Sequence, residues 1–436
     1  MERTERMAGW YRQHDVPLLV LISFVFLLAV LWFYSNGTMP DQDVLNFYTQ
    51  AMDVRNGLLP YRDFELEFPP FAMAFFYLPI IFTTDLWSYA FLFGIEMIAC
   101  SALALWAVLT AAKRAGIGRG LPAFLFTFFV AVYLPMLAWK FDMAPVCFTA
   151  LALAFFLQKR YLWAYTLLAA GAMTKFYPAL LVLVFLIINL SERADQKHWR
   201  NAVGGLIVCA IVVLLAVVPL LLAGVSSGDL VSVISFHSGR GFQIESIVAN
   251  FSMCLSQWGF MDTTLVGMHY TYDVSSTLTD MLEPIWLWVT AAVVLLVLLL
   301  IARDVSAGWD KWSASDRTRR LAVYFVAVLL AFMLVNKVFS TQYVLWLFPF
   351  LALLSVGRDG RFDEGNAIIY GIMVGISTVI AVADCRSDSF ALINLIRNYL
   401  LFVIMGEMLA LLAAGRGPLQ VLFEQPDLQA PSTASI

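Results

Sequence analysis

Six carboxylates, Asp41, Asp43, Asp53, Asp63, Glu65 and Glu67, fall within residues 36–70, the first long polar stretch of a chain that is otherwise mostly apolar. Later polar stretches carry the complementary chemistry: Lys140 and Asp142 in WKFD, Lys175 in TKFYP, His237, Arg240, Gln243 and Glu245 in FHSGRGFQIES, and Lys337, Ser340 and Gln342 in NKVFSTQY. Lys offers a point charge to a phosphate, Arg a two-pronged donor, and His a donor or an acceptor according to its protonation. A carboxylate beside such a cation set can take a proton from an acceptor hydroxyl. Together these groups suit transfer of a group away from a lipid phosphate held at a membrane surface.

Each assignment has a plainer competitor. Lys175 and Lys337 stand at the ends of apolar segments, where an ionisable group is costly and therefore a functional candidate, although snorkelling to the interface is the alternative. Asp43 could instead cap a helix over VLNFYTQAM, a role Asp fills well. Asp63, Glu65 and Glu67 surround Arg62 and read as a structural ion-pair cluster, and His237 and Arg240 could merely order their loop. Tyr48, Tyr61 and Trp139 could stack on sugar faces, but aromatic residues are common at membrane interfaces.

The elements that must position these groups are membrane helices. Of 436 residues, 61% are hydrophobic and only 13% charged, with a mean hydropathy of +0.81. A soluble domain carries about 25% charged residues, so one water-soluble core is excluded. Apolar runs of about 15 to 25 residues fit helices crossing about 30 Å of hydrocarbon rather than barrel strands. The fold class is an all-α polytopic membrane protein. The net charge of -4 argues against a nucleic-acid partner, and the five cysteines and four histidines show no metal-ligand or disulfide spacing.

Basic residues cluster at 3–12, 113–119, 159–160, 193–200, 303–320 and 358–361, which marks those loops as cytoplasmic. The stretches 36–68, 139–142, 174–178, 224–283, 336–342 and 384–390 then face outside, with 36–68 and 224–283 as the first and the long outer loops. Thirteen apolar segments can be drawn, and if all cross, the side flips once too often between residues 36 and 113. The segment at 69–82, short and led by a Pro pair, is the first candidate not to cross; the alternative is that Lys113, Arg114 and Arg119 break the basic-loop rule. Segments 161–173 and 179–190 are expected to be short and hinged at KFYP. Residues 1–414 read as one integral membrane domain and 415–436 as a loosely ordered cytoplasmic tail.

Four stretches, DVLNFYTQAMDVRNGLLPYRDFELEFPP, KFD with KFYP, FHSGRGFQIES and NKVFSTQYVLWLFP, resemble the polyprenyl-phosphate-mannose-dependent glycosyltransferases of superfamily C. The likeness is to the bacterial family containing the mannosyltransferase that extends phosphatidylinositol mannosides. Phe68, Thr341 and Lys140 depart from that pattern, where Tyr, Pro and Arg are the common residues. The resemblance implies a superfamily C fold of about 11 to 13 membrane helices. It also implies inverting transfer of a sugar, mannose before arabinofuranose, from a polyprenyl-phosphate donor to a lipid or glycan acceptor. The reaction would face the extracytoplasmic side of a bacterial plasma membrane. An aspartate of the first outer loop is then the base, Asp43 with Asp41 as understudy. Donor-phosphate and substrate binding fall to Lys140, Asp142, Lys175, His237, Arg240, Gln243, Glu245, Lys337 and Gln342. No cofactor is expected, and the metal alternative is a divalent ion at the Asp41-Gln-Asp43 string. A transporter or flippase for anionic lipid-linked substrates is the alternative from another class. Transporters often show internal repeats and midplane sites, and this chain shows no repeat.

Overall fold

In a computed structural model the chain is a bundle of apolar helices with its polar connections gathered at two opposite ends. The residues described are 2–192, 198–268, 271–356, 363–384 and 387–414, so the tail from 415 and the basic stretch 358–361 lie outside them. The first helix, α1 (Glu2–Ser35), delivers the chain to one end, where α2 (Gln42–Arg55) and α3 (Ala72–Ile80) lie. α4 (Leu86–Arg114) returns to the other end, and α5 (Gly120–Val132) with α6 (Leu134–Trp139) comes back. α7 (Met143–Leu157), α8 (Tyr161–Ala172), α9 (Pro178–Ser191) and α10 (His198–Leu222) alternate in turn. Among the described residues, seven helices are long and apolar enough to cross a membrane, including α1, α4 and α10. This is a multi-pass membrane protein.

The nine residues of α3 span about 14 Å, less than half the hydrocarbon thickness, so it cannot cross. Its Pro69-Pro70 lead-in is pinned at Phe71, whose N–H donates to the Met173 carbonyl at 2.8 Å in the α8–α9 hinge. Without α3 as a crossing, the extra change of side between residues 36 and 113 is removed. At the basic end Asp15 pairs with Lys113 at 3.4 Å and with Arg119, and Arg320 pairs with Asp304 at 2.8 Å.

The long loop after α10 departs from an all-helical reading. It holds α11 (Ser227–Ser238), β1 (Phe242–Gln243), α12 (Ile247–Gln257), β2 (Thr264–Met268) and β3 (Thr271–Ser275). The strands form an antiparallel sheet in the order β1-β3-β2. Thr, Val, Leu and Tyr in β2 and β3 suit a pleated surface, but two five-residue strands leave too faint a pattern inside a polar loop. A small core of Phe242, Ile244, Val248, Ala249 and Val274 seats this sheet and α12 against Ile380 and Phe390. Within the stretch 224–283, a Ser276–Thr279 capping box starts α13 (Thr277–Gly308).

Beyond it, α14 (Ala314–Val335), a 3-10 turn (Thr341–Leu347) leading into α15 (Phe348–Leu354), α16 (Glu364–Val382) and α17 (Asp388–Ala414) complete the bundle. Helices in lipid approach closely where small residues allow it. On α10 a Cβ at Gly205 would fall inside contact distance of the Tyr165 ring of α8, a ring fixed by Asn189 donating to its hydroxyl at 3.1 Å. Gly205→Val should therefore cost about 1–3 kcal/mol by overpacking, read as a lowered thermal midpoint in detergent.

Candidate active site

The acidic stretch folds because half of it is a helix and half a tight loop. Val44, Phe47 and Ala51 recur at helical spacing on α2 and are buried. Phe47 stacks on Phe76 at 4.1 Å and meets Phe68, Phe93 and Phe141 edge-on or tilted, which fixes the polar face of α2 relative to α3, α4 and the 140–142 linker. The N-cap is Asp41, in extended conformation and accepting from the Gln42 N–H, so capping falls to Asp41 and not to Asp43. The helix simply begins two residues earlier than the VLNFYTQAM reading allows. Asp43 stands in the first turn.

In PYRDF, Tyr61 takes a left-handed φ of 71°, a strained conformation for a bulky residue, held by its hydroxyl donating to the Phe68 carbonyl at 2.7 Å. Asp63 accepts from the Leu59 N–H at 2.8 Å and from Arg62 through both oxygens, at 2.9 and 2.8 Å. Arg62–Asp63 thus builds the loop, as its ion-pair spacing suggested. The Arg62 hydrogen bond, then the Leu59 N–H, hold the Asp63 carboxyl down at about 2. A depressed folded value contributes order above the unfolded value of about 4 and loses it as pH falls toward about 2. Amide protection at 59–64 should therefore fall in that window and be lost at neutral pH in Asp63→Ala, as read by hydrogen exchange.

Lys140 leaves α6 in extended conformation. Its ammonium donates to Asp43 Oδ2 and lies on Asp41 Oδ2, both at 2.7 Å. Burial would lower the Lys140 value, but Asp43 and Asp41 outweigh it and hold the ammonium charged well above the usual lysine range. Both carboxylates of the Asp41-Gln-Asp43 string thus meet a cation supplied by the protein. Among the described residues no group of three or more His, Cys, Asp and Glu is placed to hold a metal ion.

Two residues on, Asp142 turns into the bundle. Fully buried, it accepts through Oδ1 from Lys175 Nζ and from Trp346 Nε1, each at 2.7 Å. Lys175, in the α8–α9 hinge, lies 4.9 to 6.0 Å from the ring centres of Tyr343, Phe141, Trp346 and Phe68. Tyr343 and Tyr177 stack on Trp346 at 4.2 and 3.9 Å. The lysine is therefore buried among aromatic faces rather than snorkelling. Asp142, Arg240, Glu245 and Glu67 all lie in the electrostatic surroundings of Tyr343, which brings the long loop to the same place.

That loop presents Arg240, 7% exposed, whose Nη2 donates to Asp273 Oδ1 at 3.3 Å while Asp273 Oδ2 accepts from the Gly241 N–H at 3.0 Å. Gln243 is buried in β1, and its N–H donates to the Lys337 carbonyl at 2.9 Å. Lys337 Nζ donates to Glu283 at 3.3 Å, and Gln342 is half-buried in the 3-10 turn. Glu245 accepts from Arg397 Nη1 at 2.9 Å and from the Thr341 hydroxyl. His237 belongs to a stretch of α11 whose side chains lie outside those described. Tyr48, Tyr61 and Trp139, the candidate stacking aromatics, spend their polar atoms on Thr84, Phe68 and Tyr34. Asp142 Oδ2 and Arg240 Nε are among the buried polar atoms at this end that find no hydrogen-bond partner among the described residues.

Residues 67–268 match the model of glycosyltransferase family 87. The family 87 span holds Lys140, Asp142, Lys175, Arg240, Gln243 and Glu245; Asp41 and Asp43 precede it, and Lys337 and Gln342 follow. The chain is also similar to a crystal structure of ArnT from Cupriavidus metallidurans bound to undecaprenyl phosphate. The likeness has 14% identity and a TM-score of 0.47, over 90% of this chain and 77% of that one. No curated protein matches the chain significantly.

Sequence reading missed Asp273, Glu283, Tyr343, Trp346 and Arg397 as parts of this end. For Arg397 the signal was available: a charge set inside the apolar run 391–414. Asp273 and Glu283 had none, since each is one acid among many in a polar loop.

Proposed function

We propose that the chain is an inverting glycosyltransferase of superfamily C type, moving a sugar from a polyprenyl-phosphate donor to a hydroxyl of a lipid or glycan acceptor. The observation that carries this reading is the linker 140–142. It puts the Asp43–Lys140 pair and the buried Asp142–Lys175 pair two residues apart, at most about 7 Å along the backbone. A proton acceptor and a set of cations thus share one end of the bundle, beside apolar helices that can hold a lipid tail. The match of residues 67–268 to a glycosyltransferase family supports the same reading.

In the proposed reaction Asp43 takes the proton of the acceptor hydroxyl as its oxygen attacks the anomeric carbon. The bond from that carbon to the phosphate oxygen breaks on the opposite face. The leaving phosphate gains negative charge, which Lys175 and Arg240 are placed to meet; Arg240 Nε has no hydrogen-bond partner among the described residues. Lys140 holds the orientation of Asp43 through their 2.7 Å hydrogen bond. Mannose is favoured over arabinofuranose only by the motif resemblance. In this reading the reaction faces the extracytoplasmic side of a bacterial plasma membrane; the basic short loops at the opposite end support that orientation, and the motif resemblance supports the bacterial membrane.

Purified protein incubated with radiolabelled polyprenyl-phosphate sugars and native membrane lipids should yield a labelled lipid or glycan whose new linkage is inverted. Absence of transfer from every such donor would reject the reading. Transfer is expected to persist in EDTA, whereas strict restoration by a divalent ion would favour a metal at Asp41 and Asp43.

A further inference from the structure

Arg397 stands nine residues into α17, about 14 Å from its start, in a helix long and apolar enough to cross the membrane. It is 0% exposed. A buried guanidinium at such depth must have its donors used, and the way these are used is informative. Nη1 donates to Glu245 Oε2 at 2.9 Å and to Thr341 Oγ1 at 3.0 Å, Nη2 to the Glu245 carbonyl at 3.0 Å, and Nε to Asn398 Oδ1 at 3.1 Å. Its Cζ lies 4.3 Å from the Phe339 ring centre. Thr341 closes the triangle by donating to Glu245. One side chain therefore ties together a helix, the non-helical segment 240–246 of the long loop, and the start of the 3-10 turn 341–347.

The neighbours reinforce this tie. Asn398 donates to Asn250 Oδ1 at 2.8 Å, Asn250 donates to the Ile244 carbonyl, and the Tyr133 hydroxyl donates to the Thr341 carbonyl at 2.6 Å. Irregular backbone at membrane depth persists only where protein satisfies it. The two segments held are those that approach the buried Lys175 site. Segment 240–246 carries Arg240 and Gln243, and the 3-10 turn carries Tyr343 and Trp346, which flank Lys175.

We propose that Arg397 is a positioning residue: through Glu245 and Thr341 it fixes Arg240 and the Tyr343–Trp346 face in register for the donor phosphate without touching the substrate. The inference rests on the glycosyltransferase reading for the identity of the ligand, and on geometry alone for the clamp.

Two variants test it. Arg397→Lys keeps the charge but cannot reach both Glu245 and Thr341, and Thr341→Val keeps the ion pair and the shape but removes the hydroxyl. Hydrogen exchange at 240–246 and 341–347, which needs no sugar transfer, should rise at least about tenfold in Arg397→Lys, with α4 and α7 unchanged. Unchanged exchange in both segments and both variants would overturn the clamp even if the protein transfers sugar normally. With polyprenyl phosphate as the probe, Arg397→Lys should weaken binding about ten- to hundredfold. The acceptor KM should stay within about twofold. Combined with Arg240→Ala it should cost no more than Arg240→Ala alone. Full additivity of the two, or equal losses for donor and acceptor, would leave Arg397 a purely structural ion and refute the positioning role.

Discussion

Asp43→Asn should lower sugar transfer about a thousandfold while the protein stays folded and still binds polyprenyl phosphate. General-base catalysis contributes about 10²- to 10⁴-fold, and an amide of the same shape cannot accept the hydroxyl proton. Fold and donor binding should survive because Asp43 neither caps α2 nor contacts Lys175 in the structure; its partner is Lys140, at 2.7 Å. Asp41→Asn is the control that separates the two acids. Asn caps a helix about as well as Asp, so this variant preserves the start of α2 and should keep transfer within about fivefold. Single-turnover rates with labelled donor decide between them. If Asp41→Asn loses the thousandfold and Asp43→Asn does not, the roles are exchanged and the assignment of the base is wrong.

The second large effect is expected at Lys175. Lys175→Met leaves Asp142 fully buried without its cation, and breaking such a pair costs about 3–5 kcal/mol. A fall in the thermal midpoint would therefore say nothing about function. The double variant Lys175→Met with Asp142→Asn removes both charges, keeps an acceptor for Trp346 Nε1, and should recover most of that stability. Donor use should not recover, because the ammonium among the Tyr343, Trp346, Phe141 and Phe68 rings is then gone. A donor KM raised about ten- to hundredfold in the stable double variant would tie Lys175 to the phosphate. A double variant with a normal donor KM would make the pair a structural one only.

Much of this end was legible before any coordinate. WKFD and KFYP stand apart in the chain, and the structure joins them through Asp142 and Lys175 at 2.7 Å. FHSGRGFQIES and NKVFSTQY were likewise separate, and they meet where Thr341 donates to Glu245 and where Gln243 N–H reaches Lys337 O. Asp43 as the base had a competing role in helix capping, which the structure transfers to Asp41. Thr341 stood out only as a departure from a family pattern; its hydroxyl turns out to be shared between Glu245 and Arg397.

The helical membrane character and the chemical repertoire are readable from contiguous residues. Whether a segment enters hydrocarbon depends on its own length and apolar content, and loop charge sets its direction, so both are properties of contiguous residues. The shortness of the Pro-led segment at 69–82 belongs to the same local class. Only the tertiary structure decided which acid meets which cation. The pairs Lys140–Asp43, Lys175–Asp142, Arg240–Asp273 and Arg397–Glu245 are 97, 33, 33 and 152 residues apart, and no local periodicity relates such positions. A buried charge selects its partner by where helix packing leaves the two side chains, not by sequence spacing. That is why Arg397, conspicuous as a lone charge in an apolar run, acquires a role only once Glu245 and Thr341 are seen against it.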